Sequence, residues 1–101
     1  MPHIKLNMVR ANGSGFPNNT VAQFRFQHSP IHTITIPQHS TWIAFPAGTW
    51  IPFNGAGNIN LYMDGEHIDS SPAGINETPV TNQQCTVACG YGTFFVKYTV
   101  F

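Results

Sequence analysis

Apolar and polar residues alternate with period two along most of this chain, and Gly, Pro and Asn interrupt the alternation at short intervals. That pattern predicts strands and turns, with no helix. HIKLNMV (3–9) turns Ile4, Leu6 and Met8 to one face against Lys5 and Asn7. ANGSGFPNN (11–19) is a run of turn formers. TVAQFRFQ (20–27) groups Ala22, Phe24 and Phe26 against Gln23 and Arg25, and IHTITI (31–36) ends at Pro37, which donates no ladder hydrogen bond. NINLYM (58–63) and EHID (66–69) flank Asp64-Gly65, a strong hairpin signal. Residues 70–82 read as the longest loop, and QCTVAC (84–89) and GTFFVKYTVF (92–101) complete the set. The expected fold is all-β: one domain over residues 1–101, an antiparallel β-sandwich or jelly roll of about eight short strands.

One stretch departs from the alternation. STWIAFPAGTWIPF (40–53) reads as two strands, 40–45 and 49–53, joined as a hairpin by PAGT, where Pro46 fixes φ and Gly48 suits a type II turn. Trp42 and Ala44 face one side and Ile43 and Phe45 the other; Trp50 and Pro52 oppose Ile51 and Phe53. Both strands are therefore apolar on both faces, as is the last strand, where Phe95 and Phe101 oppose Phe94, Val96, Tyr98 and Val100. An antiparallel sheet with one wet face alternates apolar and polar. A thin two-layer fold has one interior, so a second apolar face calls for a cover. Ile43, Phe45, Ile51, Phe53, Phe95 and Phe101 are the expected interface residues, with a second copy or another protein as the cover. Burying the first four would contribute on the order of 6–12 kcal/mol gross.

Charge sharpens this expectation. Charged residues make up 8% of the chain, and the net charge is zero with neutral histidines, so little self-repulsion keeps copies apart. From Phe26 to Met63 there is no Asp, Glu, Lys or Arg. Four scattered cations do not make the basic surface that nucleic acid requires, nor a polybasic membrane patch. The opening MPHIKLNMVRANGSG lacks an apolar core of leader length, and no apolar run reaches the ~20 residues of a membrane helix. Cytoplasmic synthesis without a membrane role is the resulting expectation.

Candidate chemistry is sparse. His28 and His32 are four apart, about 13 Å on a strand, too far to share one zinc. His32, His39 and His67 could converge only across strands. Asp64, Glu66 and Asp69 flank a tight turn, where carboxylates face water and imply no cleft. Cys85 and Cys89 share a face about 13 Å apart, beyond disulfide reach, and read as core thiols. No nucleophile is paired with a His–acid partner, so no enzyme, metal or cofactor is expected. Aromatic rings offer more. Tyr91 sits between two glycines, and Tyr91, Trp42 or Trp50 with nearby amides would suit a sugar-stacking, lectin-like module.

FPAGTWIPFNGAGNINLYMDG (45–65) resembles strand–turn–strand segments of small β-sandwich or jelly-roll proteins of tailed bacteriophages, the capsid decoration (cement) proteins and fibre modules. The resemblance implies a stabilising or adhesive subunit on a virion surface, with itself or a capsid as partner. The alternative is the carbohydrate-binding module.

Overall fold

Among the described residues the alternation is realised as nine strands: β1 (His3–Asn12), β2 (Thr20–Phe26), β3 (His32–Ile36), β4 (Ile43–Ala44), β5 (Ile51–Pro52), β6 (Ile59–Met63), β7 (Glu66–Ser70), β8 (Val80–Cys89) and β9 (Gly92–Val100). The structure is a computed structural model describing residues 2–46, 50–71 and 74–101. Strands β4, β1, β9 and β8 lie side by side in that order as sheet A, with β5 also on β1; sheet B runs β3, β2, β6, β7. Every pairing is antiparallel. The two sheets stack as a β-sandwich, and no helix forms among the described residues.

One interior lies between the sheets. Sheet A contributes Ile4, Leu6, Val9, Val87, Phe94, Val96 and Val100; sheet B contributes Ala22, Phe24, Phe26, Ile34, Ile36, Ile59 and Leu61, all buried. Phe24 closes across the gap edge-on against Phe94 at 5.4 Å and Phe45 at 5.6 Å. Such edge-to-face pairs add about 0.5–1.5 kcal/mol each beyond area burial. The β6–β7 turn forms at Asp64-Gly65 as its sequence signals. Both residues have positive φ (54° and 79°), the primed geometry that suits the twist of a two-residue hairpin.

Three expectations are corrected. Residues 43–44 and 51–52 do not pair with each other; both pair with β1, Val9 opposite Ile43 and Ile4 opposite Ile51. They are one broken edge strand rather than a hairpin, because the long β1 offers a full edge that two short pieces can share. The type II turn expected at PAGT falls on residues 47–49, outside the described residues. Secondly, a bulge between Leu6 and Met8 shifts the phase of β1, so Val9, not Met8, enters the core. Thirdly, β8 begins at Val80, inside the expected loop. After Val80, which packs against the core, the stretch TNQQ (81–84) is polar on both faces because it lies on an edge, and Asn82 takes a positive φ of 49° beside a second bulge.

The same pairing decides where the expected interface residues go. Phe45 and Phe53 are 5% and 8% exposed inside the single chain, and Ile43 and Ile51 pack half-buried against the same core. Their face is the inner face of sheet A, so sheet B of the same molecule supplies most of their cover. Truncation tests this. Phe45→Ala and Phe53→Ala should each lose about 3–5 kcal/mol of folding stability, independent of protein concentration, in urea denaturation; an unchanged midpoint at low concentration would mean that these rings are not intramolecular core.

Candidate functional site

With the inner face filled, the second apolar face is the outer face of sheet A. The bulge in β1 leaves Lys5, Asn7, Met8 and Arg10 outside the core, and alternation in β9 does the same for Phe95, Lys97 and Thr99. Arg10 stands opposite Phe95. One step beyond the Val9–Ile43 pair, Trp42 reaches it from the other flank. The Arg10 guanidinium carbon lies 5.1 Å from the centre of each ring, and the Lys97 ammonium sits 4.5 Å over Trp42. A cation held over an indole at such range gains about 0.5–1 kcal/mol when exposed and more when desolvated. Arg10 Nε is buried without a hydrogen-bond partner among the described residues, so the rings hold this side chain by stacking and quadrupole attraction.

A second cluster occupies the other end of the face. Trp50 and Phe101 meet at 4.0 Å, the Lys5 ammonium lies 5.6 Å from Trp50, and His3 lies 5.5 Å from Phe101. Trp50 and Phe101 are 39% and 57% exposed. From Lys5 to Arg10 the clusters are about 15 Å apart along the strand. A polar bridge fills the interval. The Asn7 amide donates to Asn82 Oδ1 at 2.7 Å and to Thr99 Oγ1 at 2.8 Å, while the Asn82 backbone N–H donates to Thr99 Oγ1 at 3.2 Å. Asn82 is the positive-φ residue, so the bulge in β8 serves to fold its side chain across the sheet.

Charge is segregated by this arrangement. Lys5, Arg10 and Lys97 lie on the outer face of sheet A, whose strands contain no Asp or Glu. The fourth cation, Arg25, is on sheet B, where it donates to Tyr62 Oη at 2.9 Å. Asp64, Glu66 and Asp69 lie at the β6–β7 hairpin, and Glu77 accepts the Gly55 N–H at 3.1 Å. A neutral chain thus carries a cationic aromatic face and an acidic hairpin.

The structure therefore gathers Trp42, Trp50, Phe95 and Phe101 on one face and sends Ile43, Phe45, Ile51 and Phe53 to the other. Tyr91 lies apart, at the β8–β9 turn against Phe16 at 5.9 Å. Lys5, Arg10 and Lys97 were not singled out from sequence. Their only signal was a position at the polar phase of strands that turned out to be neighbours. The histidines disperse: His32 packs on Phe45, His39 meets Ser40, and His67 meets Ser70. No group of three metal-ligating side chains forms among the described residues. Nor, among them, is any helix long and apolar enough to cross a membrane. Comparison with family models, with curated proteins and with solved structures finds no match to this chain.

Cys85 and Cys89 are free thiols packed against the core. Burial pushes the Cys85 thiol from its ordinary 9.0 up to about 12, and burial followed by the nearby Cys85 raises Tyr98. At neutral pH Cys85 is protonated in both the folded and the unfolded chain, so it adds no pH dependence. As pH rises past 9.0 the unfolded chain ionises this thiol and the folded chain does not until about 12. The unfolded state gains, and stability falls across that window. Urea midpoints measured from neutral pH to about pH 10.5 should decline, and Cys85→Ala should flatten the decline. Tyr98 will leave a residual slope of the same sign.

Proposed function

We propose that this protein is a non-enzymatic structural subunit that docks onto a larger assembly through the outer face of sheet A, in the manner that its resemblance to virion decoration and fibre modules implies. The observation that carries this reading is the layer of four aromatic rings and three cations on a face whose strands carry no acid. Rings and cations pre-positioned against one another lose little side-chain entropy on binding. Such a face fits a flat, acidic protein surface, where the aromatic rings provide buried anchors and the cations provide steering. The zero net charge of the chain leaves little long-range repulsion between crowded copies.

A second reading has its own support. Trp42 and Trp50 share this face about 15 Å apart, with the amide-rich bridge of Asn7 and Asn82 between them. Two stacking rings with polar groups in the interval suit an extended glycan.

The chain's two tryptophans both belong to this face, so their fluorescence reports on it directly. Titration with poly-L-glutamate should perturb the emission and weaken steeply as salt is raised. The double variant Arg10→Glu, Lys97→Glu should reduce that affinity at least about tenfold, or ~1.4 kcal/mol. A salt-insensitive response to a neutral oligosaccharide at millimolar concentration would instead favour the glycan reading. Silence toward both probes would remove the face as a binding surface.

A further inference from the structure

Sheet A has a second unusual feature, its β8 edge. β8 is ten residues long and, among the described residues, pairs only with β9, yet VTNQQCTVAC contains no charged residue and no proline. Natural edge strands are normally blunted by charges, prolines, short length or covering segments. The other edges follow that rule. β4 and β5 are two residues each and flanked or interrupted by Pro46 and Pro52, β7 carries Glu66 and Asp69, and β3 is five residues long.

The backbone groups on the open side of β8 can be identified. His3 and Phe101 exchange two hydrogen bonds, of 2.8 and 3.0 Å. The odd-numbered residues of β9 therefore point their backbone groups toward β1 and the even-numbered ones toward β8. Lys97 opposite Gln84, Phe95 opposite Thr86 and Thr93 opposite Ala88 are then pairs without mutual hydrogen bonds, and Gln84, Thr86 and Ala88 aim their N–H and C=O groups outward. An independent contact agrees: the outward N–H of Ala88 donates to Asp69 Oδ2 at 2.8 Å. That carboxylate closes the edge at Ala88. At the other end the Asn82 N–H is engaged by Thr99. Gln84 and Thr86 remain, and among the described residues nothing pairs with their outward groups. Beside them lies a groove of about 340 Å³, bordered by Ser71, Ile75, Gln83, Cys85 and Tyr98.

We propose that this edge pairs with β8 of a second copy, antiparallel about a two-fold axis. One register uses all the available groups and none that is engaged: Gln84 opposite Thr86 of the second copy, Thr86 opposite its Gln84, and Cys85 opposite its Cys85. Each Gln84–Thr86 pair exchanges two N–H···O bonds. Centring the axis on Thr86 would bring the engaged Ala88 N–H into the ladder, and centring it on Gln84 would bring in Asn82. The contact is isologous, so an uncharged strand meets itself without like-charge repulsion. The axis runs perpendicular to the sheet, so the two outer faces lie side by side on one continuous sheet. The proposal stands on the edge alone and does not need the docking role of that face.

Cys85 provides a built-in reporter. In this register the two Cys85 residues form a directly opposed pair without mutual hydrogen bonds, with α-carbons about 4.5 Å apart, inside disulfide range. The purified chain should sediment as a dimer at high micromolar concentration. The Gln84 and Thr86 amides should exchange more slowly as concentration rises. A mild oxidant should yield a covalent dimer that Cys85→Ser abolishes and Cys89→Ser retains. Gln84→Pro removes an N–H that β9 does not use, so the fold should persist by circular dichroism while the dimer weakens at least tenfold. Should that variant fail to fold, Thr86→Lys, which brings like charges together across the axis, should weaken the dimer to a similar degree.

A monomer at every concentration, unprotected exchange at Gln84 and Thr86, or a folded Gln84→Pro variant that dimerises normally would each overturn the proposal. The two readings fail separately. A monomer that still binds poly-L-glutamate removes only the edge pairing, and a dimer indifferent to poly-L-glutamate removes only the docking face.

Discussion

Phe24 meeting Phe94 and Phe45 edge-on across the gap between the sheets is the contact on which the rest of the structure depends. It defines which face of each sheet is inside. Once Phe94 of β9 and Phe45 beside β4 point inward, pleating sends Phe95 outward and leaves Trp42 on the outer side of the edge strand. A two-layer sandwich has only one interior, and this one is filled by alternate residues of every long strand. The remaining large rings of sheet A stay outside, and they rest against Lys5, Arg10 and Lys97 rather than in water alone.

Cations and aromatics on the outer face thus solve a problem that the inner face creates. An indole left in water is unfavourable, and so is a guanidinium with a buried, unpartnered Nε. Stacked together they shield one another at modest gain, because each cation keeps part of its hydration. The arrangement is poised rather than saturated. The rings remain partly accessible, the strands of their sheet carry no acid, and the Asn7–Asn82–Thr99 bridge ties β1, β8 and β9 together in the middle of the face. An acidic, shape-matched surface would replace the remaining water with complementary contacts. The open edge of β8 belongs to the same sheet, so joining two copies there would double the face.

Much of the fold is legible in the chain. Alternation in 20–27, 31–36 and 58–63 identifies β2, β3 and β6 with their inner residues, and Asp64-Gly65 sets the β6–β7 hairpin. The failures have physical causes. A bulge adds one residue and reverses the phase of everything beyond it, so Val9 replaces Met8 inside β1. The polar TNQQ stretch of β8 has no apolar period, because an edge strand there is stabilised by its ladder with β9 and not by burial. Two apolar runs that read as a hairpin are separate pieces of one edge on β1, a choice that depends on which strand offers unpaired backbone groups.

The candidate site was half visible. Parity shows that the strands carrying Trp42, Trp50 and Phe95 are apolar on both faces, but of the six residues expected at an interface only Phe95 and Phe101 lie on the outer face, while Ile43, Phe45, Ile51 and Phe53 pack inward. Composition and alternation by themselves determine an all-β chain, a phenylalanine-rich interior and a surplus of aromatic residues. Which of those residues form the surplus was decided only by tertiary pairing. Period two labels the two faces of a strand but does not say which one meets the opposing sheet; stacking against sheet B assigned Phe45 and Phe53 to the core. Lys5, Arg10 and Lys97 lie on different strands, or far apart on one, so only the lateral order of β4, β1 and β9 could bring their charges onto the rings.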